Sequence, residues 1–150
     1  MPEQFAISAV PDEIFERYRQ VNLIDGVRVP AKAALDVINP ATGLVIGQAA
    51  ASGRAETGAA VASAKAAQES WAQLPARERG KRVTAAARAM LEKAEVIAQV
   101  LARETGKAIR TECRGEVAVA ADIVEFYGNL GSELKGQTVP YNPRMLTMTT

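Results

Sequence analysis

The sequence contains no histidine. Imidazole is the usual general base of hydrolytic triads, the usual partner of a nucleophilic cysteine and the commonest transition-metal ligand. Three large classes of active site are therefore closed to this chain acting alone. Its one cysteine, Cys113, can form no internal disulfide and supplies no zinc cluster, so a reducing compartment, the cytoplasm, is expected. Aromatic residues make up only 5% of the chain, whereas nearly a fifth of it is alanine. Helices of that composition approach closely but bury little area, at about 25 cal/mol per Å² of apolar surface, and a thin core follows. No apolar run reaches the ~18 residues of a membrane span. The opening segment, MPEQFAISAVPDEIFERYRQ, has neither the basic region nor the long apolar stretch of a secretory leader. Charge of one sign is also lacking: 18 basic against 17 acidic side chains leave +1, which draws the chain neither to nucleic acid nor to anionic lipid.

What is present, 48% hydrophobic and 23% charged residues over 150 positions, fits one globular unit. Between Val21 and Pro30 two short apolar runs flank Asp25-Gly26, a dipeptide that accepts the positive φ of a tight turn, and a β-hairpin is predicted there. A second extended piece, Ala34 to Ile38, meets the turn Asn39-Pro40-Ala41-Thr42-Gly43, and strand alternation resumes from Leu44 to Ala50. From Ala55 the period changes. Ala60, Ala64, Ala67 and Trp71 recur at helical spacing, with Gly53 as N-cap and Pro75 marking the break after Leu74. Val83, Ala87, Met90, Ala94, Ile97 and Leu101 form one stripe of a helix or closely joined pair, ended by Gly106. A third stripe, Cys113, Val117, Ala120, Val124, Tyr127, Gly131 and Leu134, predicts a helix from about Ala108 to Lys135, stopped by Gly136. Two strands, Gln137 to Tyr141 and Arg144 to Thr150, follow around Asn142-Pro143.

A helix of ~27 residues at ~1.5 Å each spans ~40 Å, roughly the diameter of a whole compact domain of this size. Such helices suit a layer lying against something larger. A self-sufficient Ala-rich bundle fits these features equally well.

Four segments carry a resemblance: VINPATGLVIGQ (Val37 to Gln48), WAQLPARERGKRV (Trp71 to Val83), LARETGKAI (Leu101 to Ile109), and RGEV with EFYGNLGSELKGQTVP between Arg114 and Pro140. Each alone is weak; in this order and spacing they resemble the aldehyde dehydrogenase superfamily over nearly everything from Asn22 to Thr150. The resemblance implies an α/β fold of which this chain is the N-terminal part: hairpin and strands, a helical layer of the cofactor domain, and the start of the oligomerisation strand. Residues 1–20 would be an N-terminal extension. Residues 21–136 would begin the NAD(P)-binding domain, with strands over 21–50 and helices over 55–135, and residues 137–150 would start the oligomerisation sheet. In such enzymes a cysteine thiolate attacks the aldehyde, hydride passes to NAD or NADP, and a glutamate-activated water hydrolyses the thioester while an asparagine helps hold the oxyanion. The resemblance puts all three residues beyond Thr150. No catalytic and no cofactor-binding residue is expected in this chain, which should be inactive alone. GNLGSELKG at Gly128 is no dinucleotide fingerprint, because it falls within and at the end of a helix.

The resemblance also supplies candidate sites. Glu104 matches a position whose carboxylate helps some relatives bind a monovalent cation with main-chain carbonyls near Val37 and Ile38; a merely solvated glutamate is the simpler alternative. Gly115 and Val119 match positions lining the substrate tunnel, with Asp122 one turn along from Val119. The uncharged segment Met145, Leu146, Thr147, Met148, Thr149 and Thr150 matches a strand through which subunits associate, implying a homo-oligomer, dimer or tetramer; a frayed tail is the alternative. Cys113 falls on the apolar stripe and reads as structural. The basic run Arg77 to Arg82 and the carboxylate pairs Glu112/Glu116 and Asp122/Glu125 read as solvated helix faces. A different class of function stays open as well: a short non-catalytic helical module that binds full-length dehydrogenase subunits by strand addition.

Overall fold

The computed structural model describes residues 19–133 and 135–149. Most of the expected N-terminal extension, together with Leu134 and Thr150, lies outside the described residues. Strand β1 (Val21–Ile24) returns as β2 (Val27–Pro30) through Asp25 and Gly26, at φ 53° and 70°. Positive φ at both central residues gives the turn the twist of its strands, and the expected hairpin forms. Strands β3 (Ala34–Ile38) and β4 (Val45–Ala50) make a second antiparallel pair. Its register slips at the turn end: Val37 faces Gly47 but Ile38 faces Val45, leaving Ile46 as the extra residue of a bulge. The two hairpins are joined through Gln20, whose N–H donates to the Gln48 carbonyl (3.0 Å) and whose carbonyl accepts from Ala31 (2.7 Å).

Helix α1 (Arg54–Gln73) begins at Gly53, as expected, and Glu56 accepts the Gly53 N–H at 3.1 Å. Leu74 ends it in an extended conformation because it precedes Pro75. Arg79 then donates to the Leu74 carbonyl at 2.6 Å, satisfying one acceptor at that terminus. Helices α2 (Ala76–Glu92) and α3 (Ala94–Thr105) are the expected joined pair, broken only at Lys93 and ended by Gly106 in the left-handed conformation at φ 75°. Their predicted stripe turns inward: Ala87 is buried, and Val83, Met90, Ala94, Ile97 and Leu101 are half-buried.

The last helix departs from expectation at both ends. It opens as a π-helical turn (Ile109–Cys113), in which the Ala108 carbonyl accepts from both Glu112 (3.0 Å) and Cys113 (3.2 Å). Helix α4 (Arg114–Leu130) follows and then tightens into a 3₁₀ turn (Gly131–Glu133), so α-helical geometry ends before Lys135 and without Gly136. The inward stripe is also rotated from the predicted one. Cys113, Val117, Ala121 and Gly128 are buried, whereas Tyr127 is 66% exposed. A close approach sets that rotation: Gly80 of α2 and Gly128 of α4 face each other with no room for a side chain between them.

The core is as thin as the composition implies. Among the described residues, its buried apolar residues on the helices are Ala87, Ala98, Cys113, Val117 and Ala121, and Cys113 is the largest side chain fully buried. Helix α1 buries nothing, its Ala64 and Ala67 being exposed, while α4 leaves Val119, Ile123 and Phe126 largely bare. Strands β5 (Thr138–Asn142) and β6 (Met145–Met148) pair with each other, exposed throughout, around a turn where Asn142 accepts the Arg144 N–H at 2.9 Å.

One ion pair clamps α3 to the start of α4. Arg114 donates Nε and Nη2 to the two carboxylate oxygens of Glu95 at 2.8 and 2.9 Å, and Gln99 donates to the same carboxylate at 3.0 Å. Those hydrogen bonds, Arg114 first, hold Glu95 down from 4.5 to about 2. A depressed carboxylate contributes stability that is present above its unfolded pKa and is lost as pH falls through the folded one. Side-chain NMR is expected to place the Glu95 midpoint near 2 and to move it towards ~4.3 in Arg114→Ala. The fall in urea midpoint between pH 4.5 and 2 should be shallower in Glu95→Gln than in the parent.

Candidate functional site

The carboxyl end of α3 is where the first candidate assembles. Glu104 lies in its last turn, exposed, beside carbonyls that a helix terminus leaves without intrahelical partners. The turn after β3 comes to the same place: a Cβ on Gly106 would lie 2.8 Å from Pro40 Cγ. That turn is braced from within, since Asn39 accepts the Ala41 N–H on its side chain (2.9 Å) and the Gly43 N–H on its carbonyl (2.8 Å). Val37 and Ile38, at the bulge, stand three and two residues before Pro40 in the chain. Helix-end carbonyls and a carboxylate carry the sign of charge that suits a cation. Among the described residues no group of three or more His, Cys, Asp or Glu side chains is gathered to hold a metal ion.

The second candidate is a groove along the outer face of the π-helical turn and α4, of about 510 Å³ and open to one side. Glu112, Gly115, Glu116, Val119, Ala120 and Ile123 line it at intervals of three and four residues, which is one helical face. Gly115 and Val119 both line this groove, and Asp122 is not part of the lining. A Cβ on Gly115 would meet nothing within 4 Å, so the glycine leaves the groove open rather than relieving a clash. Two carboxylates occupy one end. Lys107 donates to Glu116 at 2.6 Å, and its pKa is raised by that hydrogen bond first, with Glu116 and Glu112 adding attraction. Sequence reasoning set this Glu112/Glu116 pair aside as a solvated face. Both carboxylates are exposed, and they line the groove at a spacing of four residues.

Cys113 behaves as the apolar stripe implies: it is fully buried, with Sγ donating weakly to the Lys107 carbonyl at 3.7 Å. Arg77, Lys81 and Arg88 share a second groove between α2 and α4 with Glu125, and Lys81 is bound to Glu78 at 2.7 Å. Met145 to Met148 form one strand of an exposed two-stranded ribbon; Thr149 lies just past it and donates its N–H to the Gln137 carbonyl at 2.9 Å. The described strands pair only antiparallel, within hairpins, and no glycine-rich strand-to-helix turn is among them; Gly128 and Gly131 lie in α4 and the 3₁₀ turn. These residues do not fit a dinucleotide. No helix among them is long and apolar enough to cross a membrane.

Comparison with known proteins places this arrangement. The model of the aldehyde dehydrogenase family matches residues 28–150. The glutarate-semialdehyde dehydrogenase of Pseudomonas aeruginosa is 34% identical over 125 residues, which is 82% of this chain and 26% of that enzyme. An E. coli NADP-dependent enzyme superposes with a TM-score of 0.82 at 31% identity, covering 89% of this chain and 28% of that one. The NAD+ complex of an aldehyde dehydrogenase from Bacillus cereus gives 0.84 at 26% identity, over 91% of this chain and 28% of that one. The chain therefore spans about a quarter of the length of these relatives, and its hairpins and helical layer correspond to the N-terminal part of their fold. With the motifs, the order of elements and the superposition in agreement, the chain belongs to the aldehyde dehydrogenase family.

Proposed function

We propose that this chain is the N-terminal portion of an NAD(P)-dependent dehydrogenase that oxidises an aldehyde to its carboxylic acid. The observation that carries the reading is the family match across residues 28–150, reinforced by relatives named for semialdehyde oxidation and for NAD+ or NADP. The chemistry belongs outside these residues. The one cysteine is buried and bonded to a backbone carbonyl, histidine is absent, and the described strands offer no dinucleotide grip, so no hydride or acyl step is assigned to this chain.

Its own residues shape and brace. Gly115 and Val119 form one wall of the aldehyde path, Glu104 with the carbonyls near Val37 and Ile38 offers a monovalent-cation site, and the ribbon reaching Met145 to Met148 extends a sheet between subunits of a homo-oligomer. The exposed edge of that ribbon supports the last assignment, because unpaired strand edges recruit further strands. A cytoplasmic location agrees with the single free cysteine. Residues 21–136 belong on this reading to the cofactor domain and 137–150 to the oligomerisation sheet.

The test is direct. The purified 150-residue chain is expected to produce no aldehyde-dependent NADH or NADPH absorbance at any pH, whereas a polypeptide that continues through the rest of the family's length should turn over. Sustained turnover by the short chain that is lost in Cys113→Ala would overturn the assignment.

A further inference from the structure

The basic run at the start of α2 stands against the field of its own helix. Arg77, Arg79, Lys81 and Arg82 accompany a single carboxylate, Glu78, near a terminus whose dipole is positive and disfavours cations. Arg79 is held by the Leu74 carbonyl at 2.6 Å and Lys81 by Glu78 at 2.7 Å. Arg77 attracts Glu78 without bonding to it, and makes no hydrogen bond or ion pair among the described residues. It opens instead on the groove of about 520 Å³ between α2 and α4. The helices run antiparallel along that groove: a Cβ on Gly131 would lie 3.6 Å from the Ala76 carbonyl oxygen, and Gly80 meets Gly128. Arg77 thus stands towards Asn129 and Ser132, and Arg88 towards Glu125. A second, independent observation comes from the floor. Of the lining residues only Gly80, Thr84 and Gly128 are buried. Thr84 is 9% exposed, and its hydroxyl has no hydrogen-bond partner. A Cβ on Gly128 would lie 2.9 Å from that Oγ1, which puts the hydroxyl on the seam beneath the groove. A buried hydroxyl left unpaired is destabilising, and a ligand in the groove would relieve it.

We propose that this groove binds a phosphate dianion, free or at the end of a small phosphomonoester. Arg77 and Lys81 supply the charge, and the Asn129 amide and Thr84 hydroxyl supply hydrogen bonds; the Ser132 hydroxyl is already held by the Asn129 carbonyl at 3.3 Å. The start of α2 adds its dipole, so an anion there turns an unfavourable run of cations into a favourable one. Glu125 balances Arg88 and keeps the anion at the other end of the groove. No aromatic ring lines the groove to stack on a base, so the phosphate group itself is what is recognised, not a nucleic acid. The site does not rest on the dehydrogenase assignment.

The test is a titration of the chain with inorganic phosphate at mildly alkaline pH, where the anion is doubly charged, and separately with chloride at equal ionic strength, followed in ¹H–¹⁵N spectra. Saturable shifts are expected at Arg77, Gly80, Thr84, Gly128 and Asn129 with phosphate alone. Binding should weaken about tenfold in Arg77→Gln and about threefold in Thr84→Val. It should tighten in Glu125→Gln, which removes the groove's own negative charge, a change of sign that a purely structural role would not give. Equal response to chloride, or an affinity unchanged in Arg77→Gln or in Thr84→Val, overturns the proposal. Methyl phosphate identifies the source: binding as tight as phosphate or tighter assigns the groove to a phosphomonoester, and weaker binding assigns it to the free ion. The same titrations are run by calorimetry on a polypeptide that continues through the rest of the family's length, whose fold does not rest on this segment alone. Phosphate binding that weakens in Arg77→Gln is expected there too, and its absence overturns the proposal.

Discussion

Gly80→Ala is expected to destabilise the chain by about 3 kcal/mol, enough to leave much of it unfolded at physiological temperature. Helix propensity points the other way. Alanine in the middle of α2 should gain ~0.5–1 kcal/mol over glycine by restricting the unfolded chain. The close approach of α2 and α4 decides the sign, because a Cβ on Gly80 would collide with the carbonyl oxygen of Gly128. That oxygen is backbone within a packed helix, so relief requires the helices to part. Parting them uncovers helix faces that carry the buried Ala87 of α2 and Ala121 of α4, in a core that has little else to lose. Gly128→Ala meets the same seam from the opposite side, with Thr84 Oγ1 at 2.9 Å, the Gly80 carbonyl at 3.1 Å and the Thr84 N at 3.2 Å, and should also destabilise. Gly58→Ala is the control: in α1 nothing lies within 4 Å of the added carbon, and a gain of ~0.5–1 kcal/mol is expected. Urea midpoints of the three variants check the whole pattern. A stabilised Gly80→Ala would mean that the helices do not approach as described.

The seam also shows where sequence reading stops. Turn chemistry was legible, because Asp25-Gly26, Gly53, Pro75 and Gly106 each act locally and each stands where its conformational preference put it. The stripe from Val83 to Leu101 was legible for a similar reason, since one helical period ran unbroken across both helices. The rotation of α4 was not. Ala120 and Ala121 are chemically identical, and so the periodic pattern alone could not choose between Ala120 with Tyr127 and Ala121 with Gly128. What chose was a contact with Gly80 far away in sequence. Mid-helix glycine gave no reliable hint, because Gly58 and Gly115 stand in open space while Gly80 and Gly128 are crowded.

The candidate site divides along the same line. Gly115 and Val119 came from the resemblance, and the groove they share is ordinary i, i+4 geometry. Glu112 precedes Glu116 by four residues and lines the same groove, but it lies in a π-helical turn where the sequence reading expected α-helix. Nothing in the residues Ile109–Cys113 announces such a turn. Its effect is nevertheless large: Cys113 faces the core and donates to Lys107, while Lys107 reaches over to Glu116. The stretch from Gly106 to Glu116 is thus braced at its carbonyls and its side chains, and it connects the carboxyl end of α3 to the groove on α4.

The same connection makes Gly106 the position of the second large effect. Gly106→Ala is expected to cost about 2–3 kcal/mol, from two separable causes. At φ 75° an L side chain is strained by ~1–2 kcal/mol, offset by the ~0.4–1 kcal/mol that alanine gains in the unfolded chain. The remainder is steric, because the added Cβ lies 2.8 Å from Pro40 Cγ. Pro40→Ala removes that carbon, so the double variant Gly106→Ala/Pro40→Ala should recover about 1 kcal/mol relative to the sum of the singles. Gly106→Asn separates the causes differently: asparagine tolerates the left-handed region but keeps the Cβ, so it should retain the steric part alone. Protease sensitivity of the Asn39 to Gly43 turn reports whether the turn has lifted from the carboxyl end of α3. It is expected to rise in both Gly106 single variants and to fall back in the double variant. Additivity within the double variant would show that Pro40 and Gly106 do not touch, and would remove the physical link between the turn after β3 and the helix end that carries Glu104.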